Sequence, residues 1–411
     1  MAQVARVLGR GGRPPPAGVM ANASENITVN GAVNGTLFVA AGAHDWWEPQ
    51  SFEVALVLAL VSTACWGSWS NTAKAAADRV NFAHYYTDFC LGTILVALVS
   101  FVGPGHLHLG GPAVDVSKIG FAVAAGSVFG VANLLLTTGI AVAGLSIAFP
   151  LCIGTGLVLG TLLTYLVDRR GQPALIFPGV FLALLGVVAN ARAYGLLQRH
   201  RGQDAGRKAT NPDEASTSEA EESAYISESS TSASDSDAAP GAAASGAATQ
   251  NIVLCVVGGV LMGCWSPLSA HSMKGEEGLS PYWSFVCFTL ASFFVGLTIL
   301  AGQQCGLSVM PRVGAVTSFG EYFTISPALH GWGLLGGAIW ALGTASNLVS
   351  GGSLGYALSY ALGQTAPIVA VLWGLGWYRE FVGAPRQAVM FLVFMFVLFL
   401  AAITLLCLGG R

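Results

Sequence analysis

The chain has 411 residues, of which 54% are hydrophobic and 9% charged, and its formal net charge is −3. An average soluble domain carries about 25% charged residues, so most of this chain does not face water. No basic patch with interleaved aromatics occurs, which excludes nucleic acid as a partner. The eight cysteines hold no C-x-x-C pair, so neither a disulfide framework nor a metal or other cofactor is expected.

Residues 1–51 form a tail rich in Gly, Pro, Asn and Ala, expected to be disordered. It lacks a run long enough for a signal-peptide core, so the first membrane helix is expected to target the chain. Arg6, Arg10 and Arg13, with no acid among the first 20 residues, leave an organelle membrane open as an alternative. The chain's three Asn-x-Ser/Thr sequons, at Asn22, Asn26 and Asn34, all lie in this tail. Their confinement predicts a glycosylated, non-cytosolic N-terminus.

Ten apolar stretches follow, at 52–73, 84–103, 117–140, 144–167, 173–196, 251–273, 281–302, 329–350, 353–377 and 384–408. Each approaches or exceeds the roughly 20 residues that a helix needs to cross a bilayer. None shows the period-2 alternation of a membrane barrel. Gly103-Pro104, Asp168-Arg169-Arg170, Pro281, Pro311 and Ala384-Pro385 punctuate them as helix ends.

Residues 198–250 interrupt the pattern. Nine of the protein's 21 acids sit there among Ser and Ala, with almost no large apolar side chain. Such a segment cannot bury enough surface to fold and is expected to be a disordered linker. With the N-terminus outside, cytosolic loops receive Lys74, Arg79, Arg192, Arg199, Arg201, Arg207, Lys208, Arg312, Arg379 and Arg386. The outside receives Lys118, Arg169, Arg170, Lys274 and Arg411, besides the arginines of the tail. The positive-inside rule therefore places both termini outside and the linker inside.

The two halves, 52–197 and 251–411, echo each other. Cys65-Trp66, Ser70 and Lys74 recur as Cys264-Trp265, Ser269 and Lys274. Tyr86-Thr87-Asp88-Phe89 recurs as Tyr282-Trp283-Ser284-Phe285, and Asn133 before Gly144 recurs as Asn347 before Gly355. Five helices per half is an odd number, so the halves insert with opposite orientation, which is an inverted-repeat design of secondary transporters. The expected fold is all-α: ten transmembrane helices as two inverted five-helix repeats.

Several motifs then resemble one family. Asn133-Leu134, Gly144-Leu145-Ser146, Gly160-Thr161-Leu162, Tyr165, Asp168 and Phe177-Pro178-Gly179-Val180 resemble the third to fifth helices of ureide permeases. Gly67-Ser68-Trp69 and Tyr86-Thr87-Asp88-Phe89 resemble that family's first two helices. Gly352, Gly355-Tyr356-Ala357 and Trp373-Gly374 through Tyr378-Arg379-Glu380 resemble its ninth. The resemblance implies proton-coupled uptake of allantoin, uracil and similar nitrogen heterocycles at the plasma membrane. The central linker lacks the phosphate-loop motif of plant members.

In lipid, polar side chains face the bundle interior or a water-filled cavity. Ser353, Tyr356, Tyr360 and Gln364 fall at i, i+3, i+7 and i+11, one face of a helix. Two phenols and an amide on one face suit a flat polar ring. Trp340 and Asn347, Asn133 with Thr137, and Trp66 with Ser70 and Lys74 form shorter faces. The substrate-site candidates are thus Trp66, Asn133, Trp340, Asn347, Tyr356, Tyr360 and Gln364, against the alternative that such groups are interhelical glue. Asp88 is the one carboxylate well inside an apolar segment. It is either the proton-coupling residue or a cap paired with Lys74 or Arg79. No nucleophile–base or metal-ligand cluster supports an enzyme. The expected partners are a small solute, protons and the lipid bilayer, with a homodimer left open. A sugar porter of the same drug/metabolite transporter superfamily is the alternative, ahead of a multi-pass receptor.

Overall fold

A computed structural model describes residues 32–33, 36–37, 47–77, 79–105, 115–143, 147–148, 150–210, 242–275, 277–307 and 319–411. Two units separate at Asp45. In the first, the described elements are the two-residue strands β1 (Ala32–Val33) and β2 (Thr36–Leu37), paired antiparallel. The sequons at Asn22, Asn26 and Asn34 lie outside the described residues.

The described elements of the second unit are all helical. The first half holds α1 (Phe52–Ser68), α2 (Ser70–Ala76), α3 (Phe82–Val102), α4 (Val116–Ala143), a π-helical turn (Pro150–Gly154), α5 (Thr155–Asp168) and α6 (Pro173–Thr210). The second holds α7 (Ala242–Met273), α8 (Pro281–Gln304), the short α9 (Phe319–Tyr322), α10 (Pro327–Leu354), α11 (Tyr356–Gly363), α12 (Pro367–Gly376) and α13 (Arg386–Gly409). Side-chain caps set several starts. Ser51 accepts from Val54 N–H, Asn81 from Ala83 N–H and Ser280 from Trp283 N–H, satisfying donors that the first turn leaves orphaned.

Two expectations need correcting. First, helix runs past both expected ends of the linker, to Thr210 and back to Ala242. Good helix formers such as Leu196-Leu197-Gln198-Arg199 and the Ala-rich start of α7 explain this. Residues 211–241 lie outside the described ones. Second, among the described residues nine helices are long and apolar enough to cross a membrane, not ten. The exception is α10, 28 residues long. It carries His330, Thr344, Ser346, Asn347, Ser350 and Ser353. Much of it is buried, packed against α1, α2, α3 and α11. Its buried polar residues lower its mean hydropathy, while Leu335 and Leu342 remain exposed on its outer face. The outermost helices show the opposite pattern: Leu95, Val99 and Val102 on α3, and Val393, Val397 and Leu400 on α13, form exposed apolar stripes.

The main helix pairings join one half to the other. α13 packs on α6, α7 on α4 and α5, α8 on α3 and α4, α10 on α1 and α3, and α11 on α1 and α5. Exchanging each first-half helix for its second-half equivalent maps this set onto itself. Bare glycines bring the closest seams together. A Cβ at Gly126 would lie 2.1 Å from the Phe288 carbonyl oxygen, and one at Gly337 would lie 1.9 Å from that of Phe89. Small residues permit such backbone approach where lipid supplies no hydrophobic drive.

At the middle, Trp66 meets Trp265 edge-on at 6.1 Å, and Trp265 meets Tyr360 at 5.5 Å. Phe129 lies 4.9 Å from Trp340 and 5.3 Å from Phe288. This aromatic cluster contains both tryptophans of the repeated Cys-Trp motif, one from each half.

Candidate functional site

A cavity of about 630 Å³ occupies one end of the bundle, the end where α6 leaves toward the central linker. That volume lies within the usual range for small-ligand sites. Its aromatic wall includes Trp69, Tyr85, Tyr86 and Phe89 from α1–α3, and Tyr194 from α6. Pro367, Ala370 and Gly374 of α12 close the second-half side. Tyr86 stacks parallel to Phe89, with ring centroids 6.0 Å apart. Such flat faces suit a planar solute.

Few polar groups interrupt this wall. Asn133 Nδ2 donates to the Tyr86 hydroxyl at 3.3 Å. Asn190 is 8% exposed, lines the cavity, and its Oδ1 accepts no hydrogen bond. An unmet acceptor at that depth costs about 1–3 kcal/mol. The charged lining residues, Lys74 and Glu380, pair with each other. Tyr194 donates to the second Glu380 carboxylate oxygen at 2.8 Å, and Arg201 donates to the Glu380 carbonyl at 2.7 Å. Lys74 also sits 3.8 Å above the Tyr378 ring. The two charges in the lining therefore offset each other.

The opposite end, where the N-terminal tail enters, is held shut. Trp47 N–H donates to the Pro104 carbonyl at 2.8 Å, and Tyr282 donates to the Trp47 carbonyl at 2.9 Å. Ser353 donates to the Pro49 carbonyl. Asp168 accepts from Tyr356 N–H at 3.0 Å, which caps α11, and Arg170 donates to the Gly352 carbonyl. The chain turns there at Gly355, whose φ of 91° favours glycine.

Of the residues singled out from sequence, Asn133 lines the cavity. Trp66, Trp340 and Tyr360 belong to the aromatic cluster beneath it: Trp66 Nε1 donates to Thr344 at 3.1 Å, and Tyr360 donates to the Gly156 carbonyl at 3.0 Å. Asn347 is buried and ties α10 to α11 by donating to the Ser359 carbonyl at 2.8 Å. Tyr356 begins α11 at the closed end, and Gln364 caps its other terminus. The Tyr–Tyr–Gln face therefore runs along α11 and does not border the cavity. Asp88 is 2% exposed and is paired with neither Lys74 nor its own helix terminus. Tyr322 donates to its Oδ1, and His330 Nδ1 lies 2.8 Å from its Oδ2.

Sequence reasoning missed Asn190, Tyr194 and the Lys74–Glu380 pair as site residues. The available signal was the i, i+4 spacing of Asn190 and Tyr194 on the otherwise apolar first part of α6.

The fold and cavity define a class: a multi-pass helical membrane protein with a one-sided, ligand-sized chamber walled by residues of both halves. Residues 252–408 match the model of the family described as Ureide permease. Ureide permease 1 of Arabidopsis thaliana is 24% identical over 352 residues, 79% of this chain and 88% of that one. Ureide permease 4 is 22% identical over 384 residues, covering 84% and 94%, and Ureide permease 5 is 24% identical over 394 residues, covering 86% and 93%. Over these spans the chain is similar to proteins named ureide permeases.

Proposed function

We propose that the protein is a secondary transporter that carries ureides and related neutral nitrogen heterocycles, such as allantoin and uracil, across a membrane. The observation that carries this reading is the cavity, with flat aromatic walls, cancelled charges and the unmet acceptor of Asn190. The faces of a planar ring lie on Tyr86 and Phe89, and the Asn190 amide, which lines the cavity, turns to meet the ring's N–H donors. Asn133 adds a second amide. Trp66, Trp340 and Tyr360 form the floor that such a solute must pass.

The interchangeable packing of the halves supports two inverted five-helix repeats, with α10 as the tenth span. Repeats of that kind reach the opposite-facing state by exchanging their two arrangements. The plasma membrane, both termini outside, glycans at Asn22, Asn26 and Asn34, and proton coupling through Asp88 complete the proposal. Asp88→Asn is expected to abolish proton-driven accumulation while sparing substrate exchange.

The test is uptake into proteoliposomes of labelled allantoin, uracil and glucose, with and without a proton gradient. Accumulation of a heterocycle, dissipated by an uncoupler, is the expected result. Accumulation of glucose alone would replace this reading with that of a sugar porter. Glycosidase treatment of intact cells should increase the protein's mobility, and a tail that reacts with a cytosolic label would reverse the orientation.

A further inference from the structure

Asp88 lies in the seam between α3 and α10, where one half meets the other. A Cβ on Gly333 would stand 2.4 Å from the Asp88 Cβ and 2.9 Å from the Tyr85 carbonyl oxygen, so bare backbone of α10 is pressed against the carboxylate. His330, one turn earlier on α10, turns its Nδ1 to Asp88 and is 21% exposed. From α9, Tyr322 holds the other carboxylate oxygen and Glu321 is exposed. From α3 itself, His84 meets Tyr322 edge-on at 5.7 Å, and Tyr85 hydrogen-bonds Thr72 instead. The charged lining pair, Lys74 from the first half and Glu380 from the second, is already closed on itself.

We propose that Asp88 and His330 bind one transported proton as a single unit spanning the two halves, which deepens the transport reading above and rests on it. With the proton absent, a carboxylate and a neutral imidazole leave a net charge of −1 in a seam closed to water. With the proton bound, the pair is net neutral, either as carboxylate and imidazolium or as carboxylic acid and imidazole. The pair bridges α3 and α10, so taking up or releasing its proton changes the contact between the two halves. His330 is the exposed member, through which the proton enters from the end that carries the cavity.

The same stretch of α3 carries the cavity wall. Phe89 is one residue on from Asp88, about 100° round a helix of 3.6 residues per turn, and Tyr85 and Tyr86 flank it. Substrate and proton thus act on adjacent faces of one helix. A ligand shifts a conformational equilibrium only by its differential affinity for the two states, and both ligands here have a route to the position of α3.

Two measurements test the pair. In purified protein without substrate, the infrared band of the Asp88 carboxyl, identified by its loss in Asp88→Asn, is followed against pH. His330→Gln, which keeps a hydrogen-bond donor, is expected to displace its midpoint by at least one pH unit. In proteoliposomes, His330→Gln is expected to exchange labelled substrate but fail to concentrate it. An unmoved midpoint overturns the pair, and so does undiminished accumulation. Should His330→Gln not fold, Tyr322→Phe removes the other donor and must displace the same band. If the native protein moves no solute, the transport reading fails while the infrared result still decides the pair.

Discussion

The two ends of the helix bundle handle their polar groups in opposite ways. At the closed end, the chain running into α1, the turn after α5 and the turn between α10 and α11 are stitched together by side chains that donate to backbone carbonyls. Arg170 takes Gly352, Ser353 takes Pro49, Lys118 takes His271 and Lys274, and Lys274 in turn takes Val167. At the open end the main link is between side chains, Lys74 with Glu380 and Tyr194 with Glu380. One buried acceptor there, on Asn190, is left over. Helix ends leave carbonyls and N–H groups unmet. Closing an end consumes its polar side chains on those groups, whereas at the open end they bond to one another.

Four substitutions break or sharpen that contrast. Lys74→Met leaves the Glu380 carboxylate with Tyr194 as its remaining side-chain donor. Losing a charge-assisted bond costs roughly 2 kcal/mol, so a drop of several degrees in melting temperature is expected. The reciprocal swap Lys74→Glu with Glu380→Lys should recover at least half of it. No recovery would mean that the pair is not what joins α2 to the loop after α12. Asp168→Ala comes next. It removes a helix cap worth about 1 kcal/mol and the carboxylate that lies 3.6 Å from Arg170 Nε, so the closed end should open several-fold more often. A cysteine placed at Asn190 in a cysteine-free background reads this out. An impermeant maleimide should reach it from the linker side in the parent protein and more slowly after Asp168→Ala.

Asn190→Leu removes the unmet acceptor from the cavity. One neutral hydrogen bond is worth about 1 kcal/mol, hence a roughly fivefold rise in apparent KM for substrates with free ring N–H groups. N-methylated analogues should not share the rise, and an equal rise for both would reassign Asn190 to packing. The smallest effect belongs to Tyr360→Phe. It breaks only the bond to the Gly156 carbonyl beneath the cavity, so KM should change less than about twofold. A larger change would return Tyr360 to the substrate site.

Nine of the ten span positions and the resemblance to ureide permeases were legible in the sequence. Apolar runs of bilayer length have few alternatives to helix once water is excluded. Asp88 also stood out, because an ionisable group in an apolar run needs a partner. Its partners did not stand out: Tyr322 and His330 lie 234 and 242 residues away. Helical periodicity placed Tyr356, Tyr360 and Gln364 on one face, but a face in a crowded bundle has neighbours on every side. Whether it meets a void or another helix depends on distant packing. Sequence alone determined the helical class and the types of residue available to a site. Tertiary structure decided which polar groups were used up in closing one end and which residues, like Asn190, came to line the cavity. Hydrogen bonds reach only about 3 Å, and those distances are set when the two halves interlock.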